Sequence, residues 1–246
     1  MKSVVIIPAR MGSMRFPGKV IAELSGKPVI QHVWENARLS KANAIAVATD
    51  DDQVFQVVKQ FGGHPIMTKK THPSGSDRVW EAASYFPDAE LILNVQGDEP
   101  FISHEIIDSL IDTMEDDDMP EMATVVLPCM RSEIENNPNL PKVVVDANHY
   151  ALYFSRSMIP YLREGGTETQ IYRHWGIYAY RRETLQRFVS LPEGNLERCE
   201  KLEQLRALEN GIRIKVIETQ KSGIGIDTPD DLKRAEEFIR QRKKIN

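Results

Sequence analysis

The stretch VVIIPARMGSMRFPGK, Val4 to Lys19, decides how the first half of the chain is read. Val4, Val5, Ile6 and Ile7 make a run of four β-branched residues, the pattern of a strand buried on both faces. The chain then enters a loop with three cations, Arg10, Arg15 and Lys19, and two glycines, Gly12 and Gly18. A connection that only turned the chain would not need charges of one sign packed so closely. The loop points to an anion, and backbone N–H groups beside three cations would suit a triphosphate.

Outward from this loop the pattern alternates. Val4–Pro8, Ala44–Ala48, Pro65–Met67 and Leu91–Val95 read as short buried strands. Between and after them the spacing predicts helices over Val29–Leu39, Gln53–Phe61, Ser76–Tyr85 and Glu105–Met114. Asp51 and Asp52 can cap the second helix and Gly62-Gly63 can end it, while Ser74 with Asp77 opens the third as a capping box. Such βαβα alternation implies an α/β fold with a mostly parallel twisted sheet covered on both faces.

The middle behaves differently. Met122–Val126, Val143–Asp146, Tyr150–Ser155 and Trp175–Tyr180 read as strands, with Asn148 turning the chain between the second and third. We read about residues 122–180 as a smaller antiparallel insertion within one domain of residues 1–246. Beyond it come a helix over Leu196–Glu209, a strand over Ile212–Ile217 and a helix opened by Thr228-Pro229. The tail RQRKKIN is a basic run suited to a helix C-terminus.

Composition bounds the function. The 246 residues carry a formal net charge of −5, which argues against a protein that coats nucleic acid. No apolar run is long enough to span a membrane. The N-terminus lacks the regions of a signal peptide, and Cys129 and Cys199 lie too far apart in sequence to suggest a disulfide framework or a zinc site. A cytoplasmic protein is expected.

Two familiar phosphate-binding loops fail here. Five residues separate Gly12 from Gly18, one too many for a P-loop, and Val20 follows Lys19 where a hydroxyl should bind magnesium. The dinucleotide pattern of a nicotinamide oxidoreductase is missing after every predicted strand. Two other motifs supply carboxylates. In LILNVQGDEP a hydrophobic strand ends at Gln96-Gly97-Asp98, and GIGIDTPDDL places Asp227 just before a helix. If Asp98 and Asp227 converge, they offer Mg²⁺ the oxygen ligands it takes when phosphates complete its shell.

PARMGSMRFPGK, HPSGSDR, NVQGDEP, YALYFSR, YRHWGIYAY, LEQLRALENG and GIDTPDDL occur in the order found in 3-deoxy-D-manno-octulosonate (Kdo) cytidylyltransferases, the CMP-Kdo synthetases. The chain resembles that family from Val4 to its last helix. The loop motif is shared with other sugar nucleotidyltransferases, whereas YALYFSR, RHWGIYAY and LEQLRALE are more specific. The resemblance implies a nucleotide-diphospho-sugar transferase type of fold and a homodimer built through the insertion. It implies the reaction CTP + Kdo → CMP-Kdo + pyrophosphate with Mg²⁺, for lipopolysaccharide biosynthesis.

By the same resemblance, Arg10, Arg15, Lys19, Ser74 and Arg78 match CTP contacts, and Asp98 and Asp227 match the metal ligands. Lys19, Asp98 and Asp227 are the expected catalytic groups. Gln96, Arg156, His174, Tyr178, Glu203 and Gln204 match the sugar pocket. The Kdo carboxylate would suit Arg156, and the hydroxyls would suit Glu203, Gln204, His174 and Tyr178. Tyr178 and Tyr180, two apart on a strand, should share a face. The chain departs from the family at Met11, Met14 and Pro141, none of which removes a charge, and Arg163–Ile171 is short. Rival readings are cytidylyltransfer to 8-amino-Kdo or sialic acid, and a non-catalytic nucleotide-binding protein.

Overall fold

The structure, a computed structural model, describes residues 1–116, 118–221 and 223–245, the last four of them by backbone alone. The chain divides into two units. The first holds residues 1–108 with the C-terminal segment from 223 onward, and the second holds residues 109–221.

The first unit opens with β1 (Ser3–Ala9), then a small hairpin of β2 (Glu23–Leu24) and β3 (Lys27–Pro28), and α1 (Val29–Ala37). There follow β4 (Ala44–Thr49), α2 (Asp52–Gln60), β5 (Pro65–Met67), α3 (Gly75–Ala83), β6 (Leu91–Asn94) and the start of α4 (His104–Glu115). The strands are parallel, in the order β6-β1-β4-β5. The predicted β-branched run fills the middle of the sheet: Val4, Val5, Ile6 and Ile7 have no solvent exposure. The expected caps form. Asp51 Oδ1 accepts from the N–H groups of Gln53 and Val54, and Gly62 ends α2 with a positive φ of 81°.

This order matters for function. From β1 the chain moves outward to β4 and β5, then returns to the other side of β1 as β6. The carboxyl ends of β1 and β6 therefore flank a point where the strand order reverses, the usual place for a ligand in an open parallel sheet.

The second unit contains β7 (Met122–Cys129), α5 (Arg131–Ile134), β8 (Lys142–Val145), β9 (Ala151–Ser155), β10 (Ile171–Arg181), α6 (Arg182–Ser190), α7 (Asn195–Glu200), α8 (Gln204–Glu209) and β11 (Ile214–Glu218). β10 runs antiparallel to β7 and β8, β8 antiparallel to β9, and β11 parallel to β7. The turn at Asn148 is present, with His149 at a φ of 58°. The chain returns to the first unit as α9 (Pro229–Ile245), which carries the backbone of the basic tail; Asn246 lies outside the described residues. The whole is a mixed α/β fold whose mostly parallel sheet is accompanied by antiparallel strands.

Three expectations need correction. β10 is longer than Trp175–Tyr180 and is interrupted by a bulge between Trp175 and Tyr178. The short helices α5 and α6 interrupt stretches that carried no helix in the sequence reading. The helix expected over Leu196–Glu209 is two helices, broken where Lys201 takes a left-handed conformation at φ 51°.

Arg156 caps the break: its Nε donates to the carbonyl of Glu200 at 2.6 Å and its NH2 to that of Lys201 at 3.1 Å. The two halves are then joined by a buried two-pronged ion pair, with Arg206 Nε and NH2 donating to the Glu197 carboxylate at 2.7 and 2.6 Å.

Candidate active site

The loop after β1 is folded on itself, with the N–H groups of Ser13 and Gly18 both donating to the carbonyl of Met11 at 3.0 Å. Gly18 has a φ of 74°, in the left-handed region, and leads into a 3-10 turn over Lys19–Ile21. That turn directs Lys19 inward, while Arg10 and Arg15 stay exposed.

β6 delivers the second motif to the same place. Asn94 lies beside Ile6, so residues 96–98 emerge next to Pro8–Arg10. A side chain at Gly97 would bring a Cβ within 2.9 Å of the Pro8 carbonyl oxygen, so only glycine lets the Asp98 turn pack this closely on the end of β1. Gln96 donates to Asn94 Oδ1 at 3.1 Å.

The third motif arrives from the far end of the chain. Thr228 and Asp231 form the capping box that opens α9. Asp231 N donates to Thr228 Oγ1 at 3.2 Å, and Asp231 Oδ2 accepts from Thr228 N at 2.8 Å and Asp227 N at 3.1 Å. Pro229 follows at the first helical position, where its missing N–H costs nothing.

A buried cluster of Leu24, Val29, Ile226 and Ala235, joined by Phe16, Phe101, Leu232 and Ile239, packs this segment under the loop. The Ile226 N–H donates to the carbonyl of Asp98 at 2.8 Å, which fastens the two acidic segments together.

The result is a convergence on one ammonium group. Lys19 Nζ lies 2.8 Å from Asp227 Oδ1 and is also paired with Asp98 Oδ2. Arg15 NH2 reaches Asp227 Oδ2 at 3.1 Å. Burial works against the charge of Lys19, but attraction to Asp98 and Asp227 outweighs it and holds the pKa above the ordinary value.

The cavity around these groups has a volume of about 420 Å³ and is also lined by Arg10, Ser74, Arg78 and Gln96. Eight of the predicted site residues therefore meet at one opening: the three loop cations, Ser74, Arg78, Gln96 and the two aspartates.

Two of the eight have structural commitments. Ser74 caps α3, accepting from Asp77 N at 3.2 Å and donating to Asp77 Oδ2 at 2.6 Å. Arg78 is 4% exposed and donates to Asp50 Oδ2 at 2.7 Å and to Thr68 Oγ1. Asp50 and Thr68 follow the ends of β4 and β5, and no motif marks either of them in the sequence. They hold the guanidinium at the cavity wall.

The second unit holds the other predicted residues. His174 and Gln204 are buried, with Gln204 Nε2 3.4 Å from His174 Nδ1. The rings of His174 and Tyr178 lie 5.6 Å apart, and those of Tyr178 and Tyr180 lie 5.8 Å apart, so the two tyrosines share a face. Burial and then the nearby Arg173 push the His174 pKa down to about 3, so the ring is neutral near pH 7. Burial, with Tyr180 and Glu203 adding to it, raises the Tyr178 phenol well above its usual value. Glu203 sits 3.8 Å from Arg206. The Arg156 guanidinium is committed to main-chain carbonyls, including that of Pro138 at 2.9 Å through NH1.

Comparison with known proteins gives this cationic, carboxylate-bearing fold its class. A family model described as Cytidylyltransferase matches residues 4–214. The chain is 47% identical to the 3-deoxy-manno-octulosonate cytidylyltransferase of Thermodesulfovibrio yellowstonii, across 97% of this chain and 98% of that one. It is 46% identical to the protein of the same name from Syntrophus aciditrophicus, across 97% of both. A solved CMP:2-keto-3-deoxy-manno-octonic acid synthetase, in complex with CTP, superposes with a TM-score of 0.93 at 42% identity, covering 98% of this chain and all of that one. A 4-diphosphocytidyl-2C-methyl-D-erythritol synthase from Anaerococcus prevotii, 16% identical with a TM-score of 0.64, shares the fold.

The chain belongs to the cytidylyltransferases, and among them to the 3-deoxy-manno-octulosonate cytidylyltransferase family. No helix among the described residues is long and apolar enough to cross a membrane.

Proposed function

We propose that this enzyme transfers the cytidylyl group of CTP to Kdo, releasing pyrophosphate and forming CMP-Kdo for lipopolysaccharide assembly. The observation that carries the reading is Lys19 bridging Asp98 and Asp227 inside a cavity rimmed by Arg10 and Arg15. The cations would take the β- and γ-phosphates and offset the charge that develops on the leaving pyrophosphate. Arg78, held rigid by Asp50 and Thr68, would contact the nucleotide, with Ser74 beside it. The anomeric hydroxyl of the sugar would attack the α-phosphorus in line as the bond to pyrophosphate breaks. Holding these two atoms in line is the main task of the protein.

The donor set fits Mg²⁺. Asp98 and Asp227 are adjacent carboxylates that already share a cation, and oxygen donors with room for phosphate oxygens are what this ion takes. Bound there, Mg²⁺ would lower the pKa of the attacking hydroxyl and neutralise charge on the α-phosphate.

For the sugar, Tyr178, Glu203 and Gln204 are the polar groups that the second unit would offer to hydroxyls, with His174 behind them, its Nδ1 3.4 Å from Gln204. Arg156 has three of its five N–H donors on main-chain carbonyls, so besides its remaining donors for the sugar carboxylate it contributes by holding the α7–α8 break that presents Glu203 and Gln204. A homodimer through residues 122–180 is supported by the exposure of Met130, Leu152 and Tyr161 at 62%, 61% and 86%.

Pyrophosphate release with CTP and Mg²⁺, offering Kdo, 8-amino-Kdo and sialic acid in parallel, tests the reading. Release with Kdo is expected. Preference for another sugar would reassign the pocket around His174 and Gln204. No release with any of the three would defeat the catalytic proposal. Light scattering on the eluting protein tests the dimer, and a monomeric mass would refute it.

A further inference from the structure

One polar side chain inside the second unit has no part in the reading above. Thr124 lies on β7, in a run of otherwise apolar buried residues, and is wholly buried. It sits opposite Tyr178, at the bulge between Trp175 and Tyr178 on β10. A bulge interrupts the ladder and leaves backbone groups needing other partners. Here the carbonyl of Ile177 takes the Thr124 hydroxyl, at an Oγ1–O distance of 2.8 Å.

That contact fixes a chain of protons. A carbonyl can only accept, so the single hydroxyl proton of Thr124 points to Ile177. The same oxygen lies 3.0 Å from His174 Nε2, and with its proton already used it must accept there. His174 Nε2 therefore carries the ring proton. Because the ring is neutral, Nδ1 is a bare acceptor, and it faces the side-chain nitrogen of Gln204 at 3.4 Å. An acceptor at Nδ1 requires the NH₂ end of the amide, which turns the carbonyl oxygen of Gln204 away from the ring. Phe154 packs edge-on against the imidazole at 4.8 Å and keeps it from rotating.

We propose that Thr124 is a positioning residue: with the Ile177 carbonyl freed by the bulge, it selects the Nε2–H tautomer of His174 and so orients Gln204 to present an acceptor oxygen to a sugar hydroxyl. The sugar half of this proposal rests on the function proposed above; the tautomer half does not. Thr124 touches no substrate. Its effect passes through His174, which serves as a neutral, oriented link.

The test has two arms. In the intact enzyme, long-range proton–nitrogen correlation spectra of the His174 ring should show Nε2–H at neutral pH. A ring protonated at Nδ1 alone, or at both nitrogens, would overturn the proposal whatever the substrate. Thr124→Val keeps the shape and removes the hydroxyl. It should abolish the tautomer preference and raise KM for Kdo about tenfold, in line with one lost hydrogen bond, while KM for CTP stays unchanged. Thr124→Ser should restore both.

A valine variant with wild-type tautomer and wild-type KM for Kdo would overturn the proposal, as would equal losses in serine and valine variants. Should Thr124→Val fail to fold, the wild-type spectrum and the serine variant still decide. An Nε2–H signal in an enzyme that uses none of the three sugars would refute the function while leaving the Thr124–His174–Gln204 link standing.

Discussion

Replacing Lys19 with methionine tests the centre of the site without requiring any substrate. The ammonium is nearly buried, with its side chain 12% exposed, and it is the shared partner of Asp98 and Asp227. At a separation of 2.8 Å and an effective dielectric constant near 20, one such pair has a gross attraction of about 6 kcal/mol. Desolvation of the lysine cancels much of that, and the 50% exposure of Asp227 screens its share. A net loss of about 2–3 kcal/mol remains, the range of hydrogen bonds to charged groups.

For a chain of this length that corresponds to a fall in Tm of about 5–10 °C, measured by differential scanning fluorimetry in EDTA. Methionine leaves Asp98 without its cation and Asp227 with only the exposed Arg15, so Mg²⁺ should bind between the carboxylates and return most of the loss. At one hundred times its Kd a ligand contributes about 2.7 kcal/mol. The sign with pH follows from the raised pKa of Lys19: its contribution is complete below about 10.5 and is lost only as pH climbs through the higher folded value. A variant melting within a degree of wild type in EDTA, or one indifferent to Mg²⁺, would refute the shared-cation geometry.

Other substitutions separate the roles. Asp98→Ala should lower turnover by several orders of magnitude with an unchanged circular dichroism spectrum; near-normal pyrophosphate release would sink its assignment as a metal ligand. Arg15→Ala should raise KM for CTP with little effect on Kdo, and an effect confined to the sugar would contradict the phosphate role. Glu197→Gln removes the carboxylate that takes both prongs of the Arg206 guanidinium, leaving the more distant Glu203 at 3.8 Å to face it, and should cost about 3–5 kcal/mol in urea unfolding. A cost below about 1 kcal/mol would show that the pair does not hold α7 to α8. His174, with a folded pKa of about 3, gives stability that is complete above its unfolded value near 6.5 and is lost as pH falls toward 3. Wild type should lose about 2 kcal/mol more than His174→Gln between pH 7 and pH 5, and equal losses would refute the buried neutral ring.

Much of the first unit was legible because its strands are buried on both faces and punctuated by strong local signals. The run Val4–Ile7, the Asp51 and Ser74 caps and the Thr228-Pro229 helix start each follow from residues adjacent in sequence. The meeting of Asp98 with Asp227 was a conditional expectation, since nothing local forces it. It depends on Ile226 donating to the Asp98 carbonyl and on a cluster that draws residues from both ends of the chain. Asp50 and Thr68 were missed for a related reason: a single acid after a strand carries no mark of the arginine it will hold.

The second unit was harder because its decisive features are breaks repaired from a distance. LEQLRALE continues the apolar spacing of the preceding turn, and neither glycine nor proline marks an end at Lys201. Periodicity therefore favours one helix. What stabilises two is Arg156, more than forty residues upstream, whose guanidinium takes the carbonyls that a broken helix leaves exposed. The same logic covers the bulge in β10. Gly176 inside a strand pattern was a local signal that an extra residue could be accommodated there. Its consequence was not local, because the carbonyl it frees is taken by Thr124 on another strand. A lone threonine in MATVVLPC reads as a β-branched core residue, and its hydroxyl acquires meaning only when the bulge and the imidazole are set beside it. Sequence patterns report which groups are buried; they do not report where two irregularities satisfy each other, as the bulge in β10 and the Thr124 hydroxyl do here.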